Sequence, residues 1–143
     1  MKIIQLSIFL ENKKGRLYEA VQALGEASIN IKALTIAESE EFGVLRIVVD
    51  KPEAALQILK EKGFVASITD IVAVEVNDRP GGLAGVLKIF NDQDINVEYM
   101  YAFDEKNADN AIVVFRFDDS DKAIAVLAKN KIRVLGKKEI QGI

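Results

Sequence analysis

A proline followed by two glycines opens an apolar, helix-like segment near the middle of the chain. The segment NDRPGGLAGVLKIF spans residues 77–90, and Gly81 and Gly82 fall at the first turn of the predicted helix. The first N–H groups of a helix have no partner inside it, and the helix dipole makes that end positive. Glycine lets another group approach the backbone closely, while Pro80 fixes φ and removes an N–H that is not needed. The turn therefore suits a carboxylate, and Asp78 adds an acceptor that matches the ammonium group of a free amino acid.

The same residues also have a purely structural explanation. Asp78 is a residue type that caps helices, Pro80 is typical of a first helical turn, and Gly81 is typical of a tight turn. Short motifs of this kind often occur without any ligand. From these residues alone, both explanations remain open.

The chain repeats this pattern. The segment ENKKGRLYEAVQAL at residues 11–24 precedes residues 77–90 by 66 positions, so that Gly15 aligns with Gly81. Asn30 and Asn96 align in the same way, and after a two-residue insertion the match resumes at an offset of 68. Asparagine before a strand is often a turn residue, but its recurrence at the same spacing favours a function. Agreement over most of the chain predicts a tandem duplication.

Each copy has the order βαββαβ. With right-handed crossovers, this order predicts an α+β fold of two ferredoxin-like units, each an antiparallel sheet with its helices on one face. We predict domains at residues 1–70 and 71–143, and we expect Asp50 to cap the second helix. The predicted strands are 2–10, 29–37, 43–50, 64–69, 71–76, 95–103, 111–118 and 132–138, and the predicted helices are 14–26, 50–63, 81–92 and 120–130.

The second copy resembles the start of an ACT domain, a small regulatory module of amino-acid metabolism. Members of that family typically read D/N-x-P-G-x-L, followed by an amphipathic helix and an I-N-I-like strand. The matching residues here are Asp78, Pro80, Gly81, Leu83 and Asn96. The resemblance covers essentially the whole chain as two copies. It implies pairing of ACT units and an amino acid bound where two units meet, in contact with the glycine-containing loop and the residue at the Asn96 position.

The first copy departs from the family pattern. Lys14 and Arg16 stand where the second copy has Pro80 and Gly82, so the first loop is expected to be less rigid and more crowded. We therefore predict the main site at the Asp78 loop, with Asn30 from the facing unit, and a weaker site that pairs Asn12 with Asn96. The predicted ligand-binding residues are Asp78, Pro80, Gly81, Gly82, Leu83 and Asn96 in the second copy and Asn12, Gly15 and Asn30 in the first.

Catalytic and metal-binding alternatives find less support. The chain has no histidine and no cysteine, which removes the commonest general base and the thiolate nucleophile. Arg79 beside the glycines resembles the loop arginine of an acylphosphatase-like enzyme, but a solvated loop charge explains it equally well. The segment DEKNADN at residues 104–110 lacks the spacing of a calcium loop and is predicted to be a hairpin turn. We predict no catalytic residue, no metal site and no cofactor.

An RNA-binding module of the same βαββαβ order is also disfavoured. The net charge is −3, and neither half is basic, which argues against a phosphate-backbone partner. Phe115 and Phe117 alternate on one face of a predicted strand, but AIVVFRF lacks the basic-glycine-aromatic pattern of that motif. We expect these aromatics to cover the sheet against another sheet or a subunit.

These observations favour a free-standing regulatory sensor that binds a free amino acid between ACT units. If the chain is complete, it acts without a fused catalytic domain. We expect a cytoplasmic homodimer, a regulated enzyme as a possible partner, and no nucleic-acid or membrane partner. The alternative is a structural or interaction module that has lost ligand binding and regulates a partner through protein contacts; a small enzyme is a third reading.

Overall fold

The computed structural model describes residues 1–104 and 108–143. Residues 105–107, within the segment predicted as a hairpin turn, lie outside the described part of the chain. The elements in chain order are β1 (Ile3–Glu11), α1 (Arg16–Glu26), β2 (Ile31–Glu38), β3 (Phe42–Val49), α2 (Pro52–Glu61), β4 (Val65–Asn77), α3 (Gly82–Asp92), β5 (Val97–Ala102), β6 (Asn110–Phe117), α4 (Ser120–Lys129), β7 (Val134–Leu135) and α5 (Lys137–Gln141).

The chain forms two compact units whose boundary lies within β4. One unit comprises Ile4–Thr69, and the other comprises Asp70–Ile143 together with Met1–Ile3. We call them the first and the second unit. No helix of the described residues is long and apolar enough to span a bilayer.

In the first unit the strands are ordered β2-β3-β1-β4, and β3 pairs antiparallel with both β1 and β2. Alternate residues of β1 point toward the helices, and Leu6, Ile8 and Leu10 are buried there. They pack in one cluster with Leu24 of α1 and Leu59 of α2. The period of two in the strands and the apolar face of each helix thus produce a single layer of helices on one sheet face.

The second unit repeats this topology with the order β7-β4-β6-β5. Phe115 and Phe117 of β6 lie in its core and meet Phe90 of α3 in edge-to-face contacts, with ring centroids 5.5 and 4.8 Å apart. Both side chains are almost completely buried. The expectation that these two aromatics cover the sheet against another sheet or subunit is therefore wrong, because they pack against the unit's own helix and are closed to a nucleic-acid base.

The last predicted strand, 132–138, is also wrong in length. β7 contains only Val134 and Leu135, and the chain then turns into α5. Gly136 begins this helix, and its N–H donates to the Glu139 carboxylate at 3.2 Å. Glu139 also receives a hydrogen bond from Arg133. These interactions favour a helical turn over further strand pairing.

Asp50 does not cap α2 as expected. The residue before that helix is Lys51, no side chain caps it, and Pro52 occupies the first turn. The Asp50 carboxylate instead accepts a hydrogen bond from the backbone N–H of Asn30 at 3.0 Å. Asp118 binds the N–H of Asn96 in the same way at 3.1 Å, so the duplication preserves this interaction.

Candidate functional site

The loop that joins the first strand of each unit to its first helix is built around a left-handed glycine. Gly15 and Gly81 cap α1 and α3 with φ of 94° and 83°, a conformation that strains residues with a Cβ. The carbonyl of each glycine accepts the first helical hydrogen bond, from the N–H of Glu19 and Gly85 respectively, at 2.9 Å in both cases. The sequence prediction of a glycine turn at these two helix starts therefore has a specific backbone reason.

Gly82 is required for a different reason. A Cβ on Gly82 would stand 2.0 Å from the carbonyl oxygen of Asn77, which is an impossible contact. The loop is this tight because the Arg79 N–H donates to that same carbonyl at 3.0 Å and the Gly82 N–H donates to the Arg79 carbonyl at 2.9 Å. Neither bond uses the backbone nitrogen of residue 80, so proline, which has no N–H, fits at this position.

The second unit has an open pocket of about 490 Å³ above this turn. Gly81 and Gly82 contribute backbone to its wall, and no atom lies within 4 Å of the position that a Cβ on Gly81 would occupy. The N–H groups of Leu83 and Ala84, in the first turn of α3, have no acceptor among residues 1–104 and 108–143, but neither residue forms part of the pocket wall itself. The remaining wall is formed by Glu75, Asn77, Arg79, Pro80, Gly85, Val86, Asn110, Lys131, Ile132 and Arg133.

The charges around this pocket fall into two sets. Arg133 is already neutralised, because it pairs with Glu139 and with Glu75 at 3.4 Å. The side chains of Arg79 and Lys131 make no hydrogen bond or ion pair within the part of the chain that the structure describes. The pocket therefore contains two positive groups that no described residue neutralises.

In the first unit, the protein's own side chains occupy part of the corresponding space, and a smaller pocket of about 320 Å³, lined in part by Glu19 and Phe64, remains beside them. Arg16 replaces Gly82, and its guanidinium lies over the ring of Phe64, 4.4 Å from the centroid. The same guanidinium binds the carboxylate of Glu19, which replaces Gly85, at 2.7 Å. A Glu19 oxygen also lies 3.8 Å from the position of a Cβ on Gly15. The approach that is open at Gly81 is thus covered by a carboxylate at Gly15.

We expect the Arg16–Phe64 contact to be measurable as a coupling free energy. Arg16→Ala and Phe64→Leu, made singly and together, should couple by about 0.5–1 kcal/mol in urea unfolding. Either single substitution already removes the contact between guanidinium and ring, so the double variant should lose less stability than the sum of the two single variants. The matched control pairs Lys14→Ala with Phe64→Leu, since Lys14 is exposed. Additive effects of Arg16→Ala and Phe64→Leu would show that the Arg16 guanidinium does not pack on the Phe64 ring.

The two asparagines of the repeat are fixed by their backbones, and their side chains are exposed. Asn30 exchanges hydrogen bonds with Asp50 through the Asp50 carboxylate at 3.0 Å and the Asn30 carbonyl at 3.2 Å. Asn96 and Asp118 repeat both bonds. Each asparagine is therefore held rigidly while its amide group is presented to solvent.

Comparison with known proteins decides the family. The family model described as ACT domain pair matches residues 1–143. The chain belongs to the ACT domain family. The resemblance seen in the sequence and the predicted fold class are thereby confirmed.

A solved structure supports the same assignment. The chain is 40% identical to protein BT0572 from Bacteroides thetaiotaomicron, with a TM-score of 0.93, and the match covers 100% of this chain and 98% of that one. The regulatory subunit of aspartate kinase from Thermus thermophilus shares the fold, with a TM-score of 0.62 at 17% identity over 88% of this chain and 91% of its own. No curated protein sequence matches the chain significantly.

The predicted site residues of the second ACT unit divide into two groups. Pro80, Gly81 and Gly82 line the pocket. Leu83 packs on the hydrophobic core, and Asp78 lies in the exposed part of the turn; neither belongs to the pocket wall. Asp78 does not cap the helix, because Gly81 occupies that position without a side-chain hydrogen bond.

In the first ACT unit, Asn12 serves the neighbouring hairpin. Its side-chain amide donates to the carbonyls of Ser39 and Glu40 at 3.3 and 3.4 Å, and its N–H donates to Glu41 at 2.8 Å. These bonds tie the loop to the β2–β3 turn. A smaller pocket of about 300 Å³ lies beside Asn12 and is lined in part by Leu10, Leu17 and Ile36.

Sequence reasoning missed several residues of the ACT pocket. Gly85 and Lys131 lie outside the family motif, and only the pairing of the copies, Gly85 with Glu19 and Lys131 with Gly63, could have indicated them. Lys131 adopts a left-handed conformation, with φ of 58°, where the first unit has Gly63 at 85°. The comparison of the two copies, position by position, was therefore the available signal.

Proposed function

We propose that this protein is a regulatory sensor that binds a free amino acid, with its principal site at the Gly81–Gly82 turn of the second ACT unit. The observation that carries the proposal is the contrast between the two turns. The turn at Gly81 opens into a pocket of about 490 Å³, whereas the turn at Gly15 is covered by the Glu19 carboxylate. An amino-acid carboxylate fits the position that Glu19 takes in the first unit.

The chemistry of the turn suits that carboxylate. The positive end of the α3 dipole stabilises a negative group at this point. The N–H groups of Leu83 and Ala84, which have no acceptor in the described residues, lie between the wall residues Gly82 and Gly85 along the chain. The glycines allow the ligand to approach the backbone, and Pro80 keeps the loop in one conformation. The first unit has Lys14 and Arg16 at the positions of Pro80 and Gly82, so its site is weaker or absent.

The proposal keeps the ligand at a junction between ACT units, as the family resemblance implies. Asp78 and Asn30 contribute to the principal site, and Asn12 and Asn96 to a weaker one. Asn30 and Asn96 suit this role because their backbones are fixed by Asp50 and Asp118 and their amide groups are exposed. The ligand acts by favouring one packing of the units, since it binds that packing more tightly.

The protein regulates an enzyme partner in this proposal and has no catalytic activity of its own. A regulatory subunit of aspartate kinase has the same fold, which supports this role. The protein acts in the cytoplasm as a homodimer. Leu34 and Ile36 on the edge strand β2 are about half exposed, which supports pairing with a second copy.

A thermal-shift screen of the twenty amino acids tests the function. A ligand that binds only the folded state at 100 times its Kd stabilises by about 2.7 kcal/mol, which corresponds to a rise in Tm of roughly 5–10 °C for a chain of this size. We expect one class of amino acid to give that shift, and calorimetry to give one tight site per chain.

The same screen tests the alternative, an interaction module without a ligand. Its support is the closed site of the first unit together with exposed apolar side chains there, Phe9 and Phe42 among them, at 48% and 54% exposure. If no amino acid raises Tm at millimolar concentration, the sensor proposal is wrong and the interaction module stands.

A further inference from the structure

The second-unit pocket contains more positive groups than are required to bind one carboxylate. In the proposed function, the ligand's α-carboxylate is held by the N–H groups at the start of α3. Arg79 and Lys131 then remain, two cations without a hydrogen-bond or ion-pair partner in the described residues. Arg133 does not join them, because Glu75 and Glu139 already neutralise it. A neutral amino acid offers these two cations no second carboxylate to bind.

Lys131 is also an unusual residue for its backbone conformation. All four helices α1 to α4 end in a left-handed residue, and the others are Ser28, Gly63 and Asp94. The conformation closes the helix end: the Lys131 N–H donates to the Ala128 carbonyl at 3.1 Å, and the Ile132 N–H donates to the Leu127 carbonyl at 3.0 Å. Glycine adopts it without strain, so the lysine at this position adds a charged side chain at a small conformational cost. Lys131 stands where the first unit has glycine, and it lines the open pocket.

We infer that the ligand is an acidic amino acid, whose side-chain carboxylate is held by Arg79 and Lys131. This inference rests on the proposed function. Two carboxylates then have two separate positive sites, the helix start and the cation pair. The carboxylate of Glu75, on the pocket wall, supplies a negative group for the ligand's ammonium. Arginine and lysine are suited to this role because both donate charged hydrogen bonds to carboxylate oxygens.

The decisive experiment compares each acid with its neutral isostere. L-Glutamate, L-glutamine, L-aspartate and L-asparagine are titrated into the full chain by calorimetry at one ionic strength. We expect one of the acids to bind at least about 10-fold more tightly than its amide, because the amide loses a charge-assisted interaction. We also expect the preference to shrink at high salt.

The possible failures are distinguishable. If a neutral amino acid binds as tightly as the acids or more tightly, the inference about ligand class is overturned while the proposed function stands. If none of the twenty amino acids binds, the proposed function itself is wrong. Glutarate, which lacks the ammonium group, must bind more weakly than L-glutamate for an amino acid to be the ligand class; equal binding would overturn that assignment.

Two variants test the cation pair directly. Arg79→Gln and Lys131→Gly should each weaken binding of the preferred acid about 10-fold and bring the acid and its amide close to equal affinity. Lys129→Gln is the matched control for lost charge, since Lys129 is an exposed lysine of α4. Ser28→Gly is the control for adding glycine at a left-handed position. If Arg79→Gln and Lys131→Gly bind like these controls, the cation pair has no role.

Discussion

Gly82→Ala is expected to abolish tight ligand binding and to lower the free energy of unfolding by about 2–3 kcal/mol. The added methyl group would stand 2.0 Å from the Asn77 carbonyl oxygen, so the turn has to move. Its movement displaces the N–H groups at the start of α3 that receive the ligand carboxylate. Loss of such charged hydrogen bonds weakens binding about 10- to 100-fold.

Gly85→Ala is the control for this experiment. Gly85 also lines the pocket, but no atom lies within 4 Å of the position of its Cβ, and it lies inside α3. Alanine there should raise the free energy of unfolding by up to about 1 kcal/mol because it favours the helix. Urea unfolding and calorimetric titration of both variants give the comparison. Equal stability of Gly82→Ala and the unmodified protein would show that the turn is not as tight as described.

The elements of this fold could be predicted from the sequence because their signals are local and occur twice. The period of two in β1 and the helical spacing in α1 recur 66 positions later, so each copy supports the interpretation of the other. The predicted length of the last strand was wrong because an edge strand is hydrogen-bonded to a neighbour on one side only. β7 pairs with β4 through two residues, and a local interaction between Gly136 and Glu139 then favours a helical turn.

The candidate site was predictable only where it depends on the backbone. The glycine motif identifies Gly81 because the backbone there is left-handed, a conformation that glycine adopts without strain. The cations that line the pocket come from distant parts of the chain, Arg79 before α3 and Lys131 after α4, and only the fold brings them to one cavity. The contact of Arg16 with Phe64 in the first unit could not be predicted either, because these two residues are far apart in the sequence.

Gly85→Glu is expected to close the open site by the means that the first unit already uses. Glu19, the residue that corresponds to Gly85, brings a carboxylate over the Gly15 turn. A glutamate at residue 85 supplies the same group at the start of α3, where the dipole stabilises it, so it competes with the ligand carboxylate. Ligand affinity should fall about 10- to 100-fold, as for the loss of a charged hydrogen bond.

The change should leave the fold intact. Glutamate is a better helix former than glycine, by up to about 1 kcal/mol, and space is open around the Cβ at this position. Gly85→Ala shares the helical gain and lacks the carboxylate, so it should keep its affinity in the same calorimetric titration. If Gly85→Glu and Gly85→Ala bind the ligand equally well, the ligand does not approach the Gly81 turn, and the contrast between the open and the closed turn has another cause.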